Sequence, residues 1–245
     1  MKKSFKGTLS LICILLVIMV INYFSIKVEE HAAKVVVSSV NEVIDIKNTE
    51  DKLSINKIEY LQNYYGNGDI KGIISINGVN DFSYPIVQTK NNNYYLSHNY
   101  YKEYDAYGAI YADYRVDLNN SKKVLIFGHS SSKREVPFNG LENYYDEDYY
   151  KAHKYITLET ETNIIRYEIF SVYVETSDFT YMNINFNSAE EWYLHILGLQ
   201  KKSLYHINVD LNENDDILIL QTCSTNSKYS SYSKKYLLVV SRRVN

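Results

Sequence analysis

The stretch Ile217-Leu218-Ile219-Leu220-Gln221-Thr222-Cys223-Ser224 decides how this chain is read, because an apolar run of strand length stops abruptly at polar residues and a thiol. A short continuous aliphatic run of this kind suits a strand buried on both faces. A second stretch has the same form: Val124-Leu125-Ile126-Phe127 ends at Gly128-His129-Ser130-Ser131. Each run thus displays a reactive side chain where a strand gives way to a loop. Outward from these two, β-rich runs bounded by Gly, Asn and Asp recur at Ile70 to Ile76, Tyr84 to Gln88, Gly108 to Asp113, Tyr155 to Thr160, Ile165 to Val174 and Tyr236 to Ser241. With Lys123 to Gly128 and Asp216 to Cys223 they make about eight strands. Two helical candidates interrupt them, Gly140 to His153 and Ala189 to Leu204, the second with Trp192, Ile196 and Leu199 near one face. Many short strands with few helices predict a mostly β domain, a closed barrel or a sandwich.

The N-terminus reads differently. Leu9 to Ile26 is mostly apolar, preceded by Lys2, Lys3 and Lys6 and followed by Glu29 and Glu30. As a helix it would cover roughly 27 Å, close to the hydrocarbon thickness of a bilayer. The basic flank favours an N-terminus kept in the cytoplasm, which places the rest of the chain outside a cell membrane crossed once. A cleaved signal peptide is the alternative, but no convincing small-x-small site follows the run. From Val28 to about Tyr65 the chain is charged and lacks Pro, with Val36, Val40, Val43 and Ile44 at helical spacing. The expected organisation is a tip and transmembrane anchor over 1–27, a helical juxtamembrane segment over 28–66 and a catalytic domain over 67–245. A solvated stalk is the plainer reading of the middle part.

The chain has 245 residues with 26 basic and 29 acidic side chains and a formal charge of -3, which gives no bulk electrostatic reason to expect nucleic-acid binding. Its 26 Tyr against 2 Pro argue for folded, twisted strands rather than a disordered linker. Of the two cysteines, Cys13 falls inside the apolar N-terminal run, so Cys223 is a lone thiol in an exported domain. A thiol and an imidazole at the mouth of a β core are the minimum for nucleophilic acyl transfer. Cys223 would attack an amide carbonyl, and His129 would pass a proton to the departing amine. The plainer readings are a small core cysteine and a solvated loop histidine. His98, His129, His153, His195 and His206 are scattered without zinc-ligand spacing, so no metal site is expected. A glycine-rich phosphate loop is also missing.

With those residues in view, the chain resembles a class B sortase, a cysteine transpeptidase. The resemblance runs from about Asn67 to Val244. It is carried by Ser83-Tyr84-Pro85-Ile86-Val87-Gln88, Asn92 to Leu96, Gly108-Ala109-Ile110-Tyr111 with Asp113 and Arg115, Phe127-Gly128-His129, and Leu220-Gln221-Thr222-Cys223. It implies an eight-stranded sortase-type β-barrel with added helices and no cofactor. The implied partners are the sorting-signal peptide of a secreted surface protein and an amine of peptidoglycan or a lipid II stem peptide. By position, Asn92, Leu96, Phe127, Ser177, Tyr181, Met182 and Gln221 match places that line the peptide groove in this class.

One feature departs from the family pattern. Sortases carry an arginine at the start of the closing strand, whereas here Leu237 to Val240 is preceded by Tyr236, with Lys234 and Lys235 before it. Arg242 and Arg243 would lie roughly 20 Å along the strand. The expectation is that the Tyr236 hydroxyl serves as a neutral donor in that place, with help from Lys234 or Lys235. Three functions follow as alternatives. They are attachment of a surface protein to peptidoglycan through a Cys223 thioester, a peptidase in which water resolves the thioester, and a weakly active or non-catalytic binding module.

Overall fold

The structure, a computed structural model, describes residues 14–24 and 56–244. Eight strands, β1 (Ile70–Ile76), β2 (Ser83–Val87), β3 (Tyr111–Ala112), β4 (Lys123–Phe127), β5 (Tyr155–Thr160), β6 (Ile164–Glu175), β7 (Ile217–Cys223) and β8 (Tyr236–Arg243), form a closed barrel. Their order around it is β1-β2-β3-β4-β7-β8-β6-β5. β7 is parallel to β4 on one side and antiparallel to β8 on the other. Closure leaves no free sheet edge to satisfy.

The continuous apolar runs arise because both faces of these strands are covered. Leu218 and Leu220 of β7 point inward with Val124, Ile126, Leu237 and Val239. Ile217 and Ile219 point outward with Leu125, Phe127, Leu238 and Val240. Helices shield the outer set. α1 (Lys57–Tyr65) starts at Asn56, whose side chain accepts from Ile58 N and Glu59 N, and it contributes Ile58, Leu61 and Tyr65 to the outer cluster. α3 (Ala189–Lys201) starts at Ser188, which accepts from Glu191 N, and buries Trp192, Ile196 and Leu199 one turn apart. Burial of such side chains stabilises by about 1.5–3 kcal/mol each.

Two expectations change in detail. The single helix over Gly140 to His153 is instead a run of 3-10 turns, Pro137–Tyr145, followed by α2 (Glu147–Ala152). Asp146 breaks it, because its extended backbone lets its carboxylate cap α2 by accepting from Asp148 N. The 3-10 run buries Phe138, Leu141 and Tyr144 in the inner cluster. The strand expected over Gly108 to Asp113 shrinks to Tyr111–Ala112, since Gly108 turns the chain at φ +57. A Cβ there would lie 2.0 Å from Tyr95 O, so glycine alone fits.

Residues 14–24 are helical with exposed apolar side chains, and among the described residues no helix is long and apolar enough to cross a membrane. The ends of the Leu9 to Ile26 run, and Val36, Val40, Val43 and Ile44 of the juxtamembrane segment, lie outside the described residues.

Candidate active site

The parallel register of β4 and β7 builds the site. Phe127 is the partner of Gln221, and the parallel register brings both strands to an end at the same mouth of the barrel, with His129 and Cys223 each two residues past that pair. The two chains stay bonded beyond the ladder. Gly128 N donates to Gln221 O at 3.1 Å, Thr222 Oγ1 to Gly128 O at 2.9 Å, and Ser130 Oγ to Cys223 O. Neighbouring strands lie about 4.8 Å apart. Residues 94 positions distant in sequence are thereby brought to adjacent places at the barrel mouth.

Two further contacts orient the histidine. Its Nε2 lies 3.0 Å from Leu96 O, and since a carbonyl oxygen only accepts, Nε2 carries the proton and Nδ1 is the nitrogen left for other chemistry. The Tyr107 ring meets the imidazole edge-on at 6.3 Å between centroids. Gly128 lets β4 turn into this loop beside Phe138, where a Cβ would sit 2.6 Å from the Phe138 ring.

On its other side Cys223 pairs with Tyr236 of β8. Ser224 N donates to Lys235 O at 2.9 Å, so Ser224 and Lys235 form a hydrogen-bonded pair and Cys223 and Tyr236 the closer, non-hydrogen-bonded kind. Cys223 thus lies between the end of β4, which leads to His129, and the start of β8 at Tyr236. It is exposed.

In front of these residues lies a groove of about 290 Å³ on the outer face. Of the sequence-predicted residues, Asn92, Leu96, Phe127, Tyr181, Met182, Gln221 and Tyr236 line it. Tyr181 Oη donates to Gln221 Oε1 at 2.7 Å, which sets the groove floor beside Cys223. Asn92 has its amide engaged, Nδ2 donating to Asp113 Oδ2 and Oδ1 accepting from Tyr114 N, so it shapes the rim. Ser177 is outside the lining: it is exposed, and its N–H donates to Glu175 Oε1 at 3.0 Å. That carboxylate gathers the N–H groups of Thr176, Ser177 and Asp178 and the Lys202 ammonium, and so folds Ser177 outward while Phe179 and Tyr181 turn in. The groove also holds Asn93, Tyr111, Phe179 and Lys234. Tyr111 follows from pairing, being the partner of Phe127. Phe179 had no periodic signal in its loop.

The family described as Sortase domain matches residues 74–244. The chain belongs to the sortase family. It is 34% identical over 165 residues to the sortase B of Listeria monocytogenes, covering 66% of each chain, so it spans about two thirds of that relative's length. The crystal structure of Clostridium perfringens sortase B matches with TM-score 0.67 at 30% identity, over 76% of this chain and 99% of that one. A Staphylococcus aureus sortase B–substrate complex shares the fold at TM-score 0.75 and 24% identity, over 89% of this chain and 97% of that one.

In this sortase burial works against the thiolate. Although the residue is exposed as a whole, packing around the thiol pushes Cys223 above the ordinary thiol range, partly opposed by the Lys235 charge. Burial, and then the nearby sulfur, push the Tyr236 phenol up as well, so it remains a neutral O–H. Burial works to raise Asp113, but hydrogen bonds from Arg115 outweigh it and hold this carboxyl below its usual range. Arg115 is thereby fixed, with Nη2 also donating to Met182 O at 3.2 Å, tying the groove loop to the barrel. Lys123 ties the same loop from beneath, donating from Nζ to Asn183 O at 2.8 Å.

Proposed function

We propose that this sortase is a sortase B-like cysteine transpeptidase that attaches a secreted protein to the cell wall. One observation supports the reading: the parallel β4/β7 register ends both strands at one mouth of the barrel, with His129 and Cys223 each two residues past Phe127 and Gln221, which line the groove. The Cys223 sulfur attacks the scissile carbonyl carbon of a C-terminal sorting signal while its proton passes to His129. The C–N bond then breaks, and the leaving amine takes that proton. The resulting thioester is opened by an amine of peptidoglycan or a lipid II stem peptide, which releases the thiol. Asn92, Leu96, Phe127, Tyr181, Met182 and Gln221 hold the peptide. No metal or cofactor enters these steps.

The apolar run from Leu9 to Ile26 behind Lys2, Lys3 and Lys6 supports a single membrane anchor with the catalytic domain outside the cell. Such a tether would keep the enzyme where exported substrates emerge.

The test uses the full chain in detergent with peptides from the C-termini of exported proteins of the same genome, with and without triglycine or a stem peptide as acceptor. A Cys223 thioester and an amide product that requires the amine are expected. Hydrolysis alone in both arms would make it a peptidase. Absence of any Cys223 adduct would leave a binding module.

A further inference from the structure

Tyr236 occupies a position that the acyl-transfer reading leaves without a task. It is the strand partner of Cys223, in the pair type that brings side chains closest, and it shares the groove with Phe127, Tyr181 and Gln221. Its ring rests edge-on against Phe179 at 5.9 Å between centroids, which fixes its direction along the groove. Of the groove's two other tyrosines, Tyr181 Oη already donates to Gln221 Oε1, and Tyr111 stands on β3, two strands from Cys223, with its ring against Phe127. Among the described residues the Tyr236 hydroxyl has no hydrogen-bond partner.

Charge developing on a carbonyl oxygen beside Cys223 needs a donor, and the arginines are committed elsewhere. Arg115 binds Asp113 and Met182 O. Arg134 lies over the Tyr107 ring and faces Asp105. Arg166 stacks on Tyr155. Arg242 pairs with Glu168, and Arg243 approaches Asp216, both at the far end of β8. None of them lines the groove. Lys234 does, but its ammonium sits over the Phe179 ring at 5.5 Å, and its backbone lies beyond Tyr236 from the thiol.

We infer that the Tyr236 hydroxyl is a catalytic hydrogen-bond donor that holds the scissile carbonyl oxygen as it becomes an oxyanion. This rests on the acyl-transfer reading above. When the Cys223 S–C bond forms, the carbonyl π pair moves onto oxygen. The phenol O–H donates to that oxygen without giving up its proton, and the bond relaxes when the C–N bond breaks and the carbonyl re-forms. Such a donor is worth most where water is displaced and the group is already in place.

The experiment compares the full chain with its Tyr236→Phe and Tyr236→Arg variants on a peptide that the wild type turns over. Single-turnover thioester formation and iodoacetamide alkylation of Cys223 are measured side by side. Alkylation at a saturated carbon develops no oxyanion, so it reports the thiolate alone. For Tyr236→Phe, thioester formation is expected to slow about a hundredfold, with KM and the alkylation pH profile unchanged, and Tyr236→Arg is expected to regain activity over Phe. An unchanged acylation rate overturns the proposal. So does an equal loss in alkylation, which would make Tyr236 a partner of the thiolate, or a rise in KM alone, which would make it a peptide contact. A wild type that alkylates at Cys223 but acylates with no peptide overturns the transfer reading and this one together.

Discussion

The two neighbours of β7 treat Cys223 in opposite ways. On the β4 side, three hydrogen bonds continue past the end of the sheet and lock the His129 loop to the Cys223 backbone. On the β8 side, strand pairing begins beside Cys223, and the chain from Thr225 to Lys234 is largely exposed. Side-chain position on the first side is therefore coupled to the fold. On the second side Tyr236 and Lys235 present their functional groups from a strand start, where a side chain can change while the ladder behind it stays intact. Substitutions near His129 should cost both stability and rate, whereas those near Tyr236 should change rate alone.

The sharpest test of the β4 side removes its chemistry without its scaffold. His129→Ala keeps the Gly128 backbone bonds and the bond from Ser130 Oγ to Cys223 O, so the thermal midpoint should change little while peptide transfer falls about a thousandfold. Transfer assays and a melting curve on the same preparation check this. Transfer that persists in His129→Ala would remove the imidazole from the mechanism.

Gly128→Ala attacks the scaffold itself. The new methyl would meet Phe138 Cδ2 at 2.6 Å and Cγ at 2.7 Å, and Phe138 is fully buried, so one of them must shift. Overpacking of this sort costs about 1–3 kcal/mol. Chemical denaturation should show that loss, and transfer should fall with it because the turn that aims His129 is displaced. A full loss of stability with normal transfer would mean that the loop is not coupled to the sheet.

Most of the barrel was legible because its strands are short apolar or alternating runs with turn residues between them. Ile70–Ile76 and Tyr155–Thr160 agree to the residue with the sequence expectation. The strand ends beside His129 and Cys223 were legible for the same reason: each follows a run such as Val124 to Phe127, and a buried strand must end where its residues turn polar. What pairs with what was not legible. Nothing local to His129 encodes the partner strand, and the β4/β7 register is a tertiary outcome. Ser177 was misplaced on the groove because its loop is organised by the Glu175 carboxylate and Lys202, contacts that spacing does not reveal. The break at Asp146 was missed because an acidic residue inside an apolar pattern reads equally as a helix surface or as a cap.

A smaller perturbation asks how tightly the β4 lock is needed. Thr222→Val keeps shape but deletes the bond from Thr222 Oγ1 to Gly128 O, a contact at a site only 1% exposed. The loss should be about 1 kcal/mol, visible as a lower denaturation midpoint. Transfer should drop further than stability alone explains, since Gly128 carries His129. Equal activity per folded molecule would show that the two remaining bonds suffice.

The smallest expected effect lies on the β8 side and concerns the thiol itself. Packing raises the Cys223 pKa, and the Lys235 charge opposes that rise. Deprotonation creates a negative sulfur, so a nearby cation favours the thiolate and its removal must shift the midpoint upward. Lys235→Gln should therefore move the alkylation profile of Cys223 to higher pH, beyond a midpoint already above that of an unhindered thiol. Lys235 is partly exposed, so water and salt weaken the interaction, and the expected slowing at pH 8 is about twofold, the scale of a surface charge pair. Raising the ionic strength should erase the difference. The melting temperature should stay put, because Lys235 keeps its backbone bond to Ser224 whatever its side chain. A downward shift would reverse the sign of this electrostatic argument, and a large change in melting temperature would show that the β8 side is as deeply coupled to the fold as the β4 side.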